Sequence, residues 1–522
     1  MTSTSTTTSG QGSDKENDSA VFDTLKDWIE KGGGTVHAGL FLGRQKQGSL
    51  AHGMRGIFTQ TAIPKGELLL KVPSKLVLSG EKLPRKFKDR IASPWLRCLA
   101  CIYSAQQGDR EPYLASLPAS YETLWQWHDD QVQYLEGTTL GETLKADRTD
   151  GSLEQRYEEY VKPYLRFLKI IGKKKEQDNP MQAFRQASMC ISTRGFHMKP
   201  EEADIGKETY MGPFLLPLID LLNHNPANKA TTLQRDAGGF YMVAERDIDK
   251  GEEIVHSYGD TLTAAQVLQT FGFVPESMIR QATGELAVAS ASASTSTTIT
   301  PAIFSKEELV AACMSVKNSS SPKQLQQAMK DNEIEGEVWD LPKDAEKRDM
   351  SLIPDQLLVV PSESSNNSFI SDEMVTLCAI QMLPKDVYDE IFNEDEDPKL
   401  LGQEILEDYF LGKLALMAIL TATKTKLATY TPLSNVPGIT DKAKKEEDDD
   451  DKHILKELLQ LETYSASALR ALYGITIRLE EKATLHELQT EAVSLMAALD
   501  DEDGDDDDDD DRPAKKMKSA SE

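Results

Sequence analysis

The residues with the most chemical reach fall between Pro217 and Phe273. This stretch runs Asp220-Leu221-Leu222-Asn223-His224-Asn225-Pro226, then two strand-like runs, then His256-Ser257-Tyr258-Gly259-Asp260. It closes with Gln269-Thr270-Phe271-Gly272-Phe273. Each piece also has an ordinary reading. Asn and Pro favour turns, so Asn223-His224 ahead of Asn225-Pro226 fits a reverse turn. Tyr258 fits a core aromatic at a strand end, and Phe271 and Phe273 fit plain core positions. Arg194, in Ser192-Thr193-Arg194-Gly195-Phe196, fits a solvated arginine at a helix end. Gly53-Met54-Arg55-Gly56 is either a loop before a strand or backbone left bare for a ligand, because glycine carries no Cβ. It is not a dinucleotide loop, since GxGxxG is absent. Cys98 and Cys101 have CxxC spacing without a second pair to complete a zinc site. They are expected in the core, and no metal centre is expected.

Elements must hold these residues in place. A helix is predicted over 21–31, with Phe22, Leu25, Trp28 and Ile29 on one face and Gly32, Gly33 and Gly34 ending it. Ile57-Phe58-Thr59 leads into Ile63-Pro64-Lys65-Gly66-Glu67 and then Leu68-Leu69-Leu70-Lys71-Val72. About 185 residues later the unit recurs as Phe240-Tyr241-Met242-Val243-Ala244, Ile248-Asp249-Lys250-Gly251-Glu252 and Ile254-Val255-His256. Lys-Gly turns are common, so the recurrence alone is equally compatible with coincidence. Between the two units, helix-period apolar residues mark 95–106, 129–135, 153–171 and 180–193. The first 280 residues thus read as a β domain interrupted by helices. Residues 289–298 (ASASASTSTT) are low-complexity and read as a linker. Beyond them Leu406, Phe410, Leu414, Met417 and Leu420 form a helical stripe, and 454–477 and 483–499 continue in that style. Residues 317–371 carry several turn signals and stay ambiguous.

The chain has 522 residues, of which 39 % are hydrophobic, enough for two or three domains. Its net charge is −28, and half of that sits in two short runs, 444–452 and 500–511. Such runs stay solvated and often act as interaction tails. This balance argues against nucleic acid, which needs a basic footprint, and suits a basic protein partner. No run reaches the ~18 apolar residues of a membrane span. Residues 1–20 are Ser/Thr-rich and read as a disordered leader, with neither a signal core nor the arginines of a transit peptide. Five scattered cysteines point to a reducing compartment, so a cytoplasmic or nuclear location is expected. Arg512–Lys518 (RPAKKMK) is either a small nuclear-import signal or a basic end to an acidic tail.

The order Asn-His, strand hairpin, Lys-Gly-Glu-Glu, Tyr-Gly and a closing aromatic-Gly-Phe resembles the C-terminal half of a SET domain. It is most similar to the branch typified by the Rubisco large-subunit lysine methyltransferase. That branch also holds ribosomal-protein lysine and actin-histidine methyltransferases. Other pieces resemble the same branch in the same order: Gly53 to Phe58 through Pro73, Pro112-Tyr113-Leu114-Ala115-Ser116-Leu117-Pro118, Ser192 to Phe196, and Ala468 to Lys482. The resemblance implies an α+β architecture. A SET-domain β-fold with a pseudoknot and a helical insert (21–280, insert about 74–195) is followed by a linker (281–300), an all-α substrate-binding domain (301–499) and an acidic tail with a basic end (500–522).

The resemblance also implies roles. Gly53, Met54, Arg55, Arg194, Asp220, Asn223, His224, Tyr258 and Phe271 would line S-adenosyl-L-methionine. Within that set, Arg194 would take the carboxylate, Asn223 the methionine end, and the backbone near His224 the adenine. Tyr258 would be catalytic, and Phe196 and Phe273 would shape the channel for the target side chain. The expected activity is protein-lysine N-methylation of a non-histone protein, possible basic ribosomal-type substrates included, by a monomer. The zinc-binding segments that flank many histone-modifying SET domains are absent. Two alternatives stay open. One is a protein-histidine methyltransferase, against which Gly195-Phe196 offers no amide to hold an imidazole. The other is a non-catalytic binding protein, against which Asn223, His224 and Tyr258 are all present.

Overall fold

The structure is a computed structural model. It describes residues 10–45, 50, 54–91, 93–105, 110–118, 120–149, 180–198, 211–284, 300–319, 353–361, 368–382, 402–407, 409–433 and 450–504, with isolated positions at 158, 162, 388, 436, 437 and 439. The predicted helix at 153–171 lies outside the described residues apart from 158 and 162. The chain divides into two compact units. The first comprises Met1–Tyr134, Glu142–Thr298 and Ser434–Thr476; the second comprises Leu135–Gly141, Ile299–Leu433 and Ile477–Glu522.

The first unit is built from small twisted sheets. β1 (Thr35–Val36), β4 (Leu68–Pro73), β10 (Gly239–Ala244) and β9 (Thr231–Asp236) form an antiparallel sheet in the order β1-β4-β10-β9. β2 (Leu40–Arg44) pairs with β3 (Arg55–Thr59). β7 (Met211–Leu215) lies between β5 (Leu78–Ser79) and β6 (Gly195–Met198). β8 (Asn223–His224) and β11 (Val255–His256) form a short parallel ladder. Leu69, Leu70, Val72, Phe240 and Met242 are sealed in the core. The helix Gly10–Lys31 buries Phe22, Leu25 and Ile29, the face expected from its spacing. It starts earlier than the predicted 21, inside the stretch read as a leader. One cause is polar: buried Asp18 accepts from Arg44 Nε at 2.5 Å, a contact that no apolar stripe announces.

The two Ile-x-Lys-Gly-Glu units meet each other. Ile63 and Ile248 exchange both backbone hydrogen bonds at 2.9 Å. Lys65 N donates to Asp247 Oδ1 at 2.8 Å, and Gly66 N donates to Ala244 O at 2.8 Å. Gly66 and Gly251 both turn in the left-handed region, at φ +87° and +84°. The recurrence is therefore a paired corner of the fold. Between the units, Pro94–Ala105 and Pro180–Arg194 are helices close to their predicted bounds, while 129–135 is an α turn continued by a 3₁₀ turn. Cys98 and Cys101 lie in the core. Burial pushes the Cys101 thiol up to about 11, and its Sγ donates to Ser79 O at 3.0 Å.

The first unit runs to Thr298 and the second takes over at Ile299, but the chain then returns: Ser434–Thr476 groups with the first unit. Arg470 ties this segment to Glu122 at 2.6 Å and to Gln131 at 2.5 Å. Such polar ties leave no periodic trace in a sequence. The run expected as a helix over 454–477 is instead Asp450–Leu459 and the start of Ala466–Gly504. The second unit is mostly helical but not all-α. β12 (Ala302–Ser305) pairs antiparallel with β13 (Gln356–Val359), because Ala302, Phe304, Leu357 and Val359 alternate into its core. Its central helix Tyr409–Ala428 buries Ala415, Leu416, Ala418, Ile419, Ala422 and Thr423, a wider face than the stripe read from 406–420.

Candidate active site

The site lies within the first unit and is positioned by the turn before β8. Leu216, Leu218, Ile219, Leu221 and Leu222 are buried, which drives this stretch through the interior. Leu218 sits at φ 69°, a conformation that costs a branched residue of order 1–3 kcal/mol. It feeds a 3₁₀ turn, Ile219–Leu221, that aims Asp220 at one side and delivers Asn223 and His224 to β8.

Buried Asp220 pairs with half-buried Arg194. Arg194 Nη1 donates to Asp220 O at 2.7 Å and lies 3.5 Å from Asp220 Oδ2. Tyr113 Oη donates to the same Oδ2 at 2.8 Å. Burial opposes charge on the arginine most strongly, but Asp220 together with Tyr121, Tyr113 and Tyr258 offsets it and holds the guanidinium above its ordinary range. Arg194 Nε and Asp220 Oδ1 are buried without a partner among the described residues. A buried unpaired N–H donor is costly and favours an acceptor ligand.

Asn223 bridges two segments. Its Nδ2 donates to Arg55 O at 2.9 Å and to Glu253 Oε1 at 2.7 Å. Gln45 Nε2 donates to the other oxygen of Glu253. A Cβ on Gly56 would lie 2.1 Å from Glu253 Oε1 and 2.9 Å from Asn223 Nδ2, so any side chain there would push this bonded pair aside. Arg55 itself is half-buried, with Nη2 3.4 Å from Ser116 O. Met54 is 43 % exposed, and Gly53 lies outside the described residues.

The aromatics converge on Tyr258. Phe271 lies 4.7 Å from its ring, His224 4.9 Å and His256 5.1 Å. Phe273 packs 6.5 Å from Phe271 and 6.4 Å from His224. Phe196 stacks on His256 at 5.7 Å. Tyr258 Oη donates to Leu222 O at 2.9 Å, and Tyr258 N donates to His224 Nδ1 at 3.0 Å. That second bond leaves the His224 proton on Nε2. Burial lowers both histidines to about 4, so both rings are neutral near pH 7. Burial also raises Tyr258, which stays a phenol. Every expected site residue among those described, Met54 apart, thus joins one connected cluster. The sequence reading missed Tyr113, Glu253, Gln45 and His256. Tyr113 stood in a segment already singled out by resemblance, and Glu253 in the Lys-Gly-Glu-Glu run; Gln45 carried no signal.

Among the described residues, no group of three His, Cys, Asp or Glu could hold a metal ion. A clustered arginine–carboxylate pair, a pinned amide and a caged tyrosine on a β-scaffold define a class. Residues 54–259 match the SET domain family, and the chain carries a SET domain. Its particular likenesses follow. The N-lysine methyltransferase setd6 of Salmo salar is 25 % identical over 242 residues, covering 44 % of this chain and 52 % of that protein. The human N-lysine methyltransferase SETD6 is 26 % identical over 245 residues. The human actin-histidine N-methyltransferase is 24 % identical over 267 residues, 48 % of this chain and 42 % of that protein. The chain spans about half the length of the curated relatives it matches. A crystal structure of the SET domain of LSMT bound to lysine and AdoHcy superposes with a TM-score of 0.58 at 14 % identity, covering 92 % of this chain and 93 % of that one. Rubisco LSMT bound to AdoMet gives 0.57 at 13 % identity. The α+β fold is thus the LSMT-type SET fold.

Proposed function

We propose that this chain methylates a lysine side chain of another protein with S-adenosylmethionine. The observation that carries the reading is Tyr258, a half-buried neutral phenol caged by Phe271, His224 and His256 and hydrogen-bonded to Leu222 O. Relatives named as lysine methyltransferases support it. The residues present fit the cofactor. The unpaired Arg194 Nε suits a carboxylate, Asn223 offers its amide oxygen, and the bare backbone at Gly56 allows close packing. When bound, S-adenosylmethionine supplies an electrophilic methyl on a positive sulfur.

The protein must present a neutral amine, and at pH 7 only about one free lysine in 2,500 is neutral. Phe196, Phe271 and Phe273 disfavour the ammonium by excluding water. The Tyr258 and Leu222 oxygens orient the nitrogen, and holding reactants in line supplies much of the rate. A basic protein substrate suits the net charge of −28. The five cysteines, all buried and free, suit the cytoplasm or nucleus.

Histidine methylation is the second reading, favoured by the actin-histidine relative. Phe196 opposes it, because it faces the site with a ring and no amide. Incubating the protein with a lysate and labelled S-adenosylmethionine, followed by mass spectrometry, decides between them. Methyllysine is expected; methylhistidine, or no label, would overturn the proposal.

A further inference from the structure

The Asn223 side chain is held by two neighbours of one kind. Arg55 O is a carbonyl oxygen and Glu253 Oε1 a carboxylate oxygen, at 2.9 and 2.7 Å. Both only accept, so the amide must turn its NH2 toward them, and both N–H protons are then committed. Oδ1 is the one polar atom of this half-buried side chain left over among the described residues. Glu253 is in turn fixed. Its second oxygen takes a bond from Gln45 Nε2, and its backbone bridges Phe58. Gly56 closes the cradle, since a Cβ there would lie 2.1 Å from Glu253 Oε1 and 2.9 Å from Asn223 Nδ2. The hairpin around 45–56 and the segment at 223 thus converge on one carboxylate.

We infer that Glu253 is a positioning residue that locks the Asn223 amide with its oxygen toward the cofactor. The group this oxygen meets is then a donor, the α-ammonium of S-adenosylmethionine. The carboxylate of the same methionine end falls to Arg194, which has an unpaired buried Nε to offer. This assignment rests on the cofactor reading above. Without Glu253, Arg55 O alone would hold the amide. Asn223 could then rotate and present its NH2 to a positive group, which repels it.

The test compares wild type, Glu253→Ala and Glu253→Gln by calorimetry with three ligands. These are S-adenosylmethionine, decarboxylated S-adenosylmethionine, which keeps the ammonium, and 5′-methylthioadenosine, which has neither charged group. Glu253→Ala should weaken the first two by about tenfold, the scale of one charged hydrogen bond, and leave methylthioadenosine unchanged. Glu253→Gln keeps an acceptor for Asn223, while Gln45 can turn its amide to match, so most of the affinity should return. Parallel loss on all three ligands would mean that Glu253 only braces the fold and would overturn the inference. Unchanged affinity for S-adenosylmethionine in Glu253→Ala would overturn it too. Loss on S-adenosylmethionine but not on its decarboxylated form would overturn the ammonium assignment. Wild type that binds none of the three would sink the cofactor reading itself, a failure seen without any variant.

Discussion

Single atoms at the site carry distinct expectations. Tyr258→Phe deletes only the hydroxyl that reaches Leu222 O, so turnover should fall on the order of a hundredfold, the scale of one lost oriented dipole. Cofactor affinity should hold, and a Phe variant that turns over at the wild-type rate would remove Tyr258 from the chemistry. Asn223→Ala should weaken cofactor binding by ~1–3 kcal/mol, because the cofactor loses the amide oxygen that the Arg55 O and Glu253 contacts hold in place. Unchanged affinity in a folded variant would leave Asn223 a turn residue. His224 and His256 give a pH prediction. Each is lowered to about 4 when folded, chiefly by burial, against ~6.5 when unfolded. The unfolded chain therefore binds more protons below pH 6.5, and stability present above that pH is lost as the pH falls toward 4. His256→Phe should flatten this decline, read as Tm at pH 7 and pH 5; an equal drop in both proteins would refute it. Tyr258 and Asn223 were legible because they stand in short motifs. Gln45 was not, since its role arises from contact with Glu253, 208 residues away.

At the scale of elements, the corner glycines separate two kinds of constraint. Gly66 and Gly251 have positive φ, yet a Cβ at either would meet nothing within 4 Å. Alanine there should cost only the backbone term, ~1–2 kcal/mol. Gly272 is also left-handed, at φ +87°, but a Cβ would lie 2.0 Å from Glu122 O. Gly272→Ala should therefore cost clearly more than Gly66→Ala, and it should displace Phe271 and Phe273. Equal denaturation midpoints for the two variants would contradict this. The hinge repeat was visible in the sequence as strand, turn and strand. That the two copies pair with each other was not, because register across 185 residues has no local signature. The two-residue ladder of β8 and β11 was equally silent, being too short to show alternation.

Across the whole molecule, length and composition pointed to two or three domains, and nothing in them pointed to the return of 434–476 to the first unit, where Arg470 meets Glu122. The acidic run also begins inside structure. The last helix extends to Gly504, and Lys413 pairs with Asp500. Truncation after Gly504, rather than before Asp500, should leave Tm and cofactor affinity unchanged. If the remaining acids steer a basic substrate, the truncated protein should react more slowly with it at low salt only, since exposed charges are screened beyond ~8 Å at physiological salt. Equal rates at low ionic strength would reject steering.

The pairing of Ile63 with Ile248 also has a meaning for biosynthesis. A ribosome adding 5–20 residues per second needs roughly 10 to 40 s to make the intervening chain. Throughout that interval the Leu68-Leu69-Leu70 run has been made without β10, its main partner. The nascent protein should thus carry an unsatisfied, sticky strand until residues 231–256 emerge, and it should lean on chaperones for that time. Stalled chains ending near residue 220 should be cut rapidly by protease within 55–73, and chains released beyond 300 should resist. Early resistance would show that the N-terminal half can wait without help.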